Sequence, residues 1–347
     1  MAVAMSGGAD STAALALLKE AGHEVFGITA IMTRERSRCC APEDVECARN
    51  AARRLDVPHE TVEVQDAFDT DVIGYFVAEY LAGRTPSPCV VCNSRIKFGV
   101  LLDEARRRGA DFLATGHYAR SESGPDGKPE LLRGADAAKD QSYFLARLTG
   151  EQVRSALFPL GGMTKAETLS ILAARGLARP GRRESQDVCF VPDGDHGRWL
   201  DLRVLKTPPP GDIVTADGKR VGRHNGIHHY TVGQRKGLGI ASGAPMYVVR
   251  IDARRNELVV GAPAEATTAR IGVEGLSWIA GKPPARSFEA LVQIRFRHEP
   301  AAAQVVLISD DAAEVEFVEP QFGAAPGQSA VFCRGDKILG AAWIGVA

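Results

Sequence analysis

The first two hundred residues alternate between short apolar runs typical of β-strands and longer stretches with apolar residues at helical spacing. Strands are predicted over 24–32, 60–64 and 111–115, and helices over 13–21, 45–55, 67–81 and 94–108. Strands that alternate with crossover helices indicate an α/β fold with a doubly wound parallel sheet, whose ligand site lies at the carboxyl ends of the strands.

A further helix is predicted after Thr164-Lys165-Ala166-Glu167, which has the pattern of a capping box. We expect this helix to run to Arg175 and to end at Gly176.

The pattern changes after Leu200. Residues 206–211, KTPPPG, have the composition of a linker, and from about Thr267 the pattern is β only. Strands are predicted over 291–297, 304–308, 313–318, 329–334 and 338–344. This spacing suits a small antiparallel barrel, so we expect a catalytic α/β domain over 1–200, a small central domain over 201–266 and a β-barrel over 267–347.

The length and charge of the chain limit the kinds of protein that it can be. The 347 residues suffice for two or three domains, and no apolar stretch approaches membrane-spanning length. We expect a cytoplasmic protein with no membrane partner, because no export signal is recognisable. The formal net charge is −1, but residues 219–236 contain five Lys and Arg, three His and no carboxylate. This run is either a solvated basic loop or a local site for nucleic acid.

The segment from Ala4 to Thr12 contains a glycine turn before a strongly helix-forming stretch. Its glycines allow a ligand to approach the backbone, and the amides at the helix start can bind an anion together with the Ser6, Ser11 and Thr12 hydroxyls. The Lys of a Walker A loop and the third glycine of a dinucleotide fingerprint are missing. The segment instead resembles the SGGxDS signature of PP-loop ATP pyrophosphatases, which split ATP into AMP and pyrophosphate.

The seven cysteines form an odd number, which favours redox, catalytic or metal chemistry over structural disulfides. Cys89 and Cys92 form a CxxC on a proline-rich loop before a helix, where thiols become acidic, and a third thiol, Cys189, lies far along the chain. Sulfur transfer is one interpretation. Structural zinc, with Cys39 and Cys40 completing the ligand set, is the alternative; otherwise no role is assigned to those two residues.

Taken together, these segments resemble the family of bacterial tRNA-specific 2-thiouridylases over nearly the whole length. The matching motifs, in the family's order, are AMSGGADS at 4–11, GRTPSPCVVCNSRIKFG at 83–99, ATGHYAR at 114–120, LLRGADAAKDQSYFL at 131–145, SQDVCFV at 185–191, HHYTVGQRKGLGI at 228–240 and PGQSAVF at 326–332. Other PP-loop adenylating enzymes, and a non-catalytic tRNA-binding or iron-sulfur carrier protein, are the competing classes.

The resemblance implies ATP-dependent replacement of the C2 oxygen of the wobble uridine by sulfur in the tRNAs for lysine, glutamate and glutamine. It implies Mg²⁺, an upstream sulfur-donor protein and recognition of the anticodon loop. Asp10 would orient the ion or the pyrophosphate, Cys189 would carry the persulfide, and Cys92 would resolve it through a Cys92–Cys189 disulfide. The ATP contacts would be Ala4, Met5, Ser6, Gly7, Gly8, Ala9, Asp10, Ser11, Met32 and Gly116. The tRNA contacts would be Ser87, Pro88, Cys89, His117, Lys139, Asp140, Gln141, Arg295, Phe296 and Gln328.

Two positions depart from a common family pattern. Cys89 stands where some members have Asp, and Ser87 replaces a common Asn. With Cys89, Cys92 and Cys189 the chain has enough thiols to ligate three irons of a [4Fe-4S] cluster, whereas a persulfide relay needs only Cys92 and Cys189. Both mechanisms remain open at the level of sequence.

Overall fold

The computed structural model describes residues 1–33, 41–178, 188–241 and 243–346. Its helices are α1 (Ala9–Glu20), α2 (Pro42–Arg54), α3 (Gln65–Phe68), α4 (Gly74–Leu81), α5 (Pro88–Val91), α6 (Leu102–Arg107), α7 (Ser142–Leu145), α8 (Gly150–Arg154), α9 (Lys165–Ala174) and α10 (His196–Arg203). Two π-helical segments, Asp69–Ile73 and Cys92–Leu101, join α3 to α4 and α5 to α6. Two 3₁₀ turns cover Ile227–His229 and Pro263–Ala266.

The strands, in chain order, are β1 (Ala2–Ala4), β2 (Phe26–Ile31), β3 (His59–Glu63), β4 (Leu113–Ala114), β5 (Ala119–Ser123), β6 (Pro129–Arg133), β7 (Ala156–Leu157), β8 (Gly211–Thr215), β9 (Arg220–His224), β10 (Tyr247–Asp252), β11 (Glu257–Gly261), β12 (Thr267–Trp278), β13 (Ser287–Gln293), β14 (Ala301–Leu307), β15 (Ala312–Phe322), β16 (Ser329–Arg334) and β17 (Lys337–Ile344).

The first domain is built on a parallel sheet in the order β3-β2-β1-β4-β7. All four neighbouring pairs are parallel, with Val3 of β1 opposite Gly27 of β2 on one side and Ala114 of β4 on the other. The predicted doubly wound α/β fold is therefore confirmed. The strand order reverses between β1 and β4, and the crevice beside such a reversal is where sheets of this kind bind their ligands.

Small apolar residues allow α1 to pack closely against this sheet. Ala14 and Leu15 are fully buried in the same cluster as Val3 of β1, whereas Ala13 and Ala16 pack in a second cluster with Leu172 of α9. The capping box at the start of α9 is also confirmed, because Thr164 and Glu167 exchange the expected hydrogen bonds. Together these contacts hold the starts of two helices at the carboxyl edge of the sheet.

The CxxC differs from its predicted position. Helix formation begins at Pro88 and continues without a break through Cys92–Leu101 to Arg107, so both cysteines lie inside the helix rather than on a loop before it. Proline favours the first helical turn because its missing N–H has no partner there in any case.

The C-terminal β-barrel is confirmed as six antiparallel strands in the order β12-β15-β14-β13-β16-β17, closed by pairing of β12 with β17. The β5–β6 hairpin of the first domain, which the sequence pattern did not predict, pairs with β17 and extends this sheet to eight strands. The strand predicted over 291–297 instead covers Ser287–Gln293, and it is followed by a turn that contains Arg297, whose φ is 64°.

Between these domains lies a four-stranded sheet in the order β10-β11-β8-β9, in which only the β11–β8 pair is parallel. Its apolar core includes Ile213, Ile227, Val248 and Leu258. No helix in the described part of the chain combines the length and hydrophobicity needed to cross a membrane.

Candidate nucleotide and thiol site

The turn before α1 requires glycine at position 7. Gly7 has a φ of +67°, and a Cβ there would lie 2.2 Å from the carbonyl oxygen of Asp44. Gly8 is the N-cap of α1, and its position supplies no capping side chain. The first amides of the helix therefore lack the side-chain acceptor that usually satisfies them, which suits a bound anion.

The three hydroxyls of this turn have different environments. Thr12 is buried and its Oγ1 donates to the Gly8 carbonyl at 2.9 Å. Ser11 Oγ also donates to Gly8 O, at 3.1 Å, and accepts from the Ser6 amide. Ser6 is the exposed one of the three, and its Oγ lies 3.4 Å from Ser11 Oγ. Thr12 and Ser11 therefore both stabilise the helix start, and an anion held by the three hydroxyls stays a prediction.

The loop after β4 lies directly against this helix start. A Cβ on Gly116 would lie 2.6 Å from the carbonyl carbon of Asp10 and 2.7 Å from the Ser11 amide nitrogen. Glycine is the residue that permits this approach. Gly116 and the start of α1, both of which are predicted to contact ATP, are thus adjacent in space.

A cleft of about 230 Å³ lies at this point. Seven of the ten residues predicted to contact ATP line it, namely Ala4, Met5, Ser6, Asp10, Ser11, Met32 and Gly116. Gly7, Gly8 and Ala9 do not line it: the two glycines belong to the turn before α1, and Ala9 is the first residue of that helix. The remaining lining residues are Ile28, Ala30, Lys97, Leu101, Thr115, His117 and Gln141.

Asp10 is held by partners that sequence analysis did not identify. Its Oδ1 lies 2.7 Å from Lys165 Nζ and accepts from the Tyr118 hydroxyl at 3.0 Å. Lys165 is the first residue of α9, where the sequence pattern predicts only a capping box. No local pattern distinguishes such a lysine, because its partner lies 155 residues earlier.

His117 and Lys97 form a second polar pair in the cleft. Nδ1 of His117 lies 2.7 Å from Thr115 Oγ1, and Nε2 lies 3.5 Å from Lys97 Nζ. Burial, with the nearby Lys97 charge as a smaller cause, holds the pKa of His117 well below the usual 6.5. The imidazole is therefore neutral at pH 7, and the positive charge of this pair belongs to the lysine.

The described thiols differ in access. Cys89 is exposed, Cys92 is buried, and Cys189 is half-buried and packs against the apolar cluster that contains Cys92. None of the five cysteines in the described ranges forms a disulfide. Cys39 and Cys40, and residues 185–187 of the SQDVCFV motif, lie outside the described residues.

The proline-rich loop before α5 rests on the barrel. Gln328 Nε2 donates to the carbonyls of Thr85 and Pro86 at 3.1 and 3.0 Å, and the Thr85 amide donates to Pro326 O at 2.7 Å. Ser87 and Pro88 are buried behind this contact. The barrel therefore supports the loop that leads into the CxxC.

Other residues predicted to contact tRNA have varied surroundings. Both carboxylate oxygens of Asp140 are engaged within the chain, by Arg133, Ser142 and the Gly134 amide. Gln141 lines the cleft and accepts from the Tyr118 amide, and Lys139 is half-buried beside it in sequence.

On the barrel, Arg295 is exposed, whereas the ring of Phe296 packs 4.3 Å from that of Phe144. Arg295 is therefore open to a partner. Phe296 joins the barrel to the first domain, and its contact with tRNA stays a prediction.

The basic run separates into two groups. Its five Lys and Arg side chains are exposed, and Arg220 pairs with Asp212 at 3.0 Å. The three histidines do not extend this surface, because His224 and His228 are fully buried and His229 contacts Asp201. The exposed cations are Lys219, Arg220, Arg223, Arg235 and Lys236.

Comparison with known protein families agrees with this organisation. Residues 1–193 match the family described as tRNA methyl transferase HUP domain, residues 202–262 match the tRNA methyl transferase PRC-barrel domain, and residues 268–344 match the aminomethyltransferase beta-barrel domain.

Relatives of known activity match along almost the full chain. A tRNA-specific 2-thiouridylase from Geotalea uraniireducens is 46% identical over 352 residues, covering 99% of this chain and 94% of the relative. A protein of the same name from Chloroflexus aurantiacus is 47% identical over 348 residues, covering 99% and 97%. An NMN synthetase structure from Francisella tularensis shares 14% identity, with a TM-score of 0.33 over 60% of this chain and 65% of its own, a likeness too low to carry an argument. On the basis of these full-length matches, the chain belongs to the family of tRNA-specific 2-thiouridylases.

Proposed function

We propose that this protein uses ATP to replace the C2 oxygen of the wobble uridine with sulfur in the tRNAs for lysine, glutamate and glutamine. The observation that carries the proposal is a single helix running from Pro88 to Arg107. It bears Cys89 and Cys92 at its start and, five residues after Cys92, Lys97, which lines the nucleotide cleft. Activation and sulfur transfer would thus occur on adjacent surfaces of one element.

In the first step the uridine C2 oxygen attacks the α-phosphorus of ATP and pyrophosphate leaves. The glycine turn and the α1 amides would hold the phosphates, and Lys97 and Lys165 provide positive charge at the cleft. Asp10 fits a magnesium site because its carboxylate faces the cleft, and Mg²⁺ bound there with ATP would neutralise phosphate charge. The product is a uridine whose C2 oxygen leaves readily as AMP.

In the second step the terminal sulfur of a Cys189 persulfide attacks C2, the C2–O bond breaks, and AMP departs. Cys92 then attacks the Cys189 sulfur, which breaks the sulfur–sulfur bond and leaves 2-thiouridine and a Cys92–Cys189 disulfide. The two thiols supply the electrons that reduce the transferred sulfur, and an external thiol reductant reopens the disulfide. A sulfur-donor protein then renews the persulfide. This is covalent catalysis in which one difficult substitution is divided into steps.

The exposed Cys89 is a third thiol that could serve as a sulfur ligand together with these two. Cys89, Cys92 and Cys189 offer the donor set of a [4Fe-4S] cluster with one iron open, which would supply the sulfide in place of the persulfide. Iron and sulfide analysis of anaerobically purified protein separates the two versions: an active protein without iron eliminates the cluster.

All three domains, which we propose to cover residues 1–200, 201–266 and 267–347, would contact the tRNA. His117 and Gln141, which line the cleft, would contact the tRNA together with Lys139 and the exposed Cys89, and Arg295 and the exposed cations of the basic run would extend the contact. The target uridine must unstack from its neighbours in the anticodon loop before its C2 atom can react. Cytoplasm is the proposed location, as the compartment of tRNA modification.

The proposal is tested by incubating the protein, a sulfur source and unmodified tRNA with α-labelled ATP, and by analysing nucleosides by mass spectrometry. Formation of AMP and 2-thiouridine should depend on tRNA. Asp10→Asn should abolish both products, and Cys189→Ser should abolish 2-thiouridine. Cys47→Ser is the matched control, since Cys47 lies on α2 away from the cleft. Full thiolation by the Asp10→Asn and Cys189→Ser variants would refute the assignment.

A further inference from the structure

Three metal-ligating side chains meet between α10 and the 3₁₀ turn Ile227–His229, away from the nucleotide cleft. Asp201 Oδ1 lies 2.8 Å from Nε2 of His228, and Asp201 Oδ2 lies 3.2 Å from Nε2 of His229. The three ligand atoms lie within 4.8 Å of one another, and within the described ranges no other group of this kind comes together. The proposed thiolation chemistry makes no use of them.

Two glycines make room for the two imidazoles. A Cβ on Gly197 would lie 1.9 Å from His229 Nδ1, and a Cβ on Gly226 would lie 2.4 Å from His228 Cε1. Gly226 also has a φ of +125°, which side-chain-bearing residues rarely adopt. The surrounding backbone therefore fixes the positions of the two imidazole rings.

Burial differs across the group in a way that suits an ion with one open position. His228 is fully buried, whereas the side chains of His229 and Asp201 are 25% and 43% exposed. Solvent can therefore reach one side of the group. The Asp201 carboxylate disfavours binding of a phosphate or another anion at this site, because like charges repel.

We propose that Asp201, His228 and His229 bind a divalent transition-metal ion of the zinc type, with water as the fourth ligand. Two imidazoles and one carboxylate are a donor set that zinc accepts in tetrahedral sites with an open position. Bonds of about 2.0–2.1 Å to such an ion place the ligand atoms roughly 3.4 Å apart. The two carboxylate–imidazole separations here are 2.8 and 3.2 Å. The ion would fasten α10, at the end of the first domain, to the central sheet.

The experiment uses Co²⁺ and Zn²⁺ with the full chain, without an affinity tag. Iodoacetamide treatment first blocks reactive thiols, because cysteines also bind these ions. We expect one equivalent of Co²⁺ with a visible d–d spectrum and no thiolate charge-transfer band, and an increase in melting temperature with Zn²⁺. Asp201→Asn and His229→Gln, which keep side-chain size, should each weaken Co²⁺ binding at least tenfold, whereas the exposed His23→Gln should not.

If the alkylated wild-type chain binds no Co²⁺ at ion concentrations up to about 100 µM, a free energy of roughly −5.5 kcal/mol, the site does not exist. Equal affinity in the Asp201→Asn, His229→Gln and wild-type chains also overturns the proposal. In either case the group serves only as a hydrogen-bonded contact between α10 and the central sheet. Because uridine thiolation is not measured, failure here leaves the proposed function unaffected.

Discussion

Lys165 Nζ lies 2.7 Å from Asp10 Oδ1, although the two residues are 155 positions apart in the chain. Lys165 begins α9 and Asp10 lies in the first turn of α1, so the ion pair joins the starts of two helices beside the cleft. Its side chains are 16% and 32% exposed, which limits screening by water. This pair gives the first prediction.

Replacing Lys165 by Met should lower kcat/KM for ATP by roughly tenfold to a hundredfold, as expected for the loss of a charged hydrogen bond worth about 1.5–3 kcal/mol. Lys165→Arg should recover part of the activity. Pyrophosphate release at saturating tRNA measures the effect. Lys128→Met, at an exposed lysine that pairs with Asp126, is the control. An unchanged rate for Lys165→Met would show that Asp10 needs no cationic partner.

Gly7→Ala should destabilise the protein far more than Gly22→Ala. Both glycines have positive φ, but a Cβ at 7 would lie 2.2 Å from Asp44 O, and nothing lies within 4 Å of a Cβ at 22. Gly22→Ala should cost about 1–2 kcal/mol from its backbone conformation alone. Gly7→Ala should cost about 3 kcal/mol or more, because the Asp44 backbone must move. Urea unfolding provides both values, and similar losses would mean that the turn relaxes freely.

Gln328→Ala should lower kcat for thiolation while leaving KM for tRNA nearly unchanged. Its amide holds the Thr85 and Pro86 carbonyls before the CxxC, so its loss should misplace that loop. Gln304→Ala, which removes an exposed hydrogen bond on the same barrel, is the matched control. A direct tRNA contact, which the family resemblance implies for Gln328, predicts the opposite result: a higher KM with kcat retained. Steady-state kinetics with varied tRNA distinguishes the two roles.

The free energy of unfolding should fall as pH decreases from 7.5 toward 5.5. Burial holds the pKa of His117 well below the usual 6.5, so around and below pH 6.5 the unfolded chain binds a proton that the folded chain refuses. This contribution is fully present above the unfolded pKa and is lost as pH falls toward the folded one. His117→Gln should flatten the profile measured by urea unfolding, and the exposed His23→Gln should leave it unchanged. A profile equally steep in both variants would exclude His117 as a source.

Affinity for tRNA should fall as salt rises, because exposed cations displace counterions from phosphates. Arg235 and Lys236 are exposed at the end of the basic run. Their joint replacement by Gln should reduce the slope of log K against log salt by about 1 to 2. Arg270→Gln is the control, since Arg270 pairs with Glu316 on the barrel. Filter binding at several salt concentrations gives the slopes, and an unaltered slope would remove these residues from the interface.

The sequence by itself determined the α/β class, the barrel, the capping box of α9 and the glycine turn before α1. These features depend on near neighbours: periods of two or 3.6 residues, proline and glycine geometry, and hydrogen bonds across three positions. Seven of the residues named for ATP also line one cleft, because the carboxyl ends of parallel strands meet at one edge.

Tertiary structure alone decided which distant side chains meet. It paired Lys165 with Asp10, placed Gln328 against the loop before the CxxC, and turned His228 away from the basic surface toward Asp201. Such contacts depend on the packing of whole elements, and a polar residue buried by that packing must find whatever partner lies within reach. Local patterns contain no signal for that partner, which is why the chemistry of the turn was predictable from sequence and the groups that hold it in place were not.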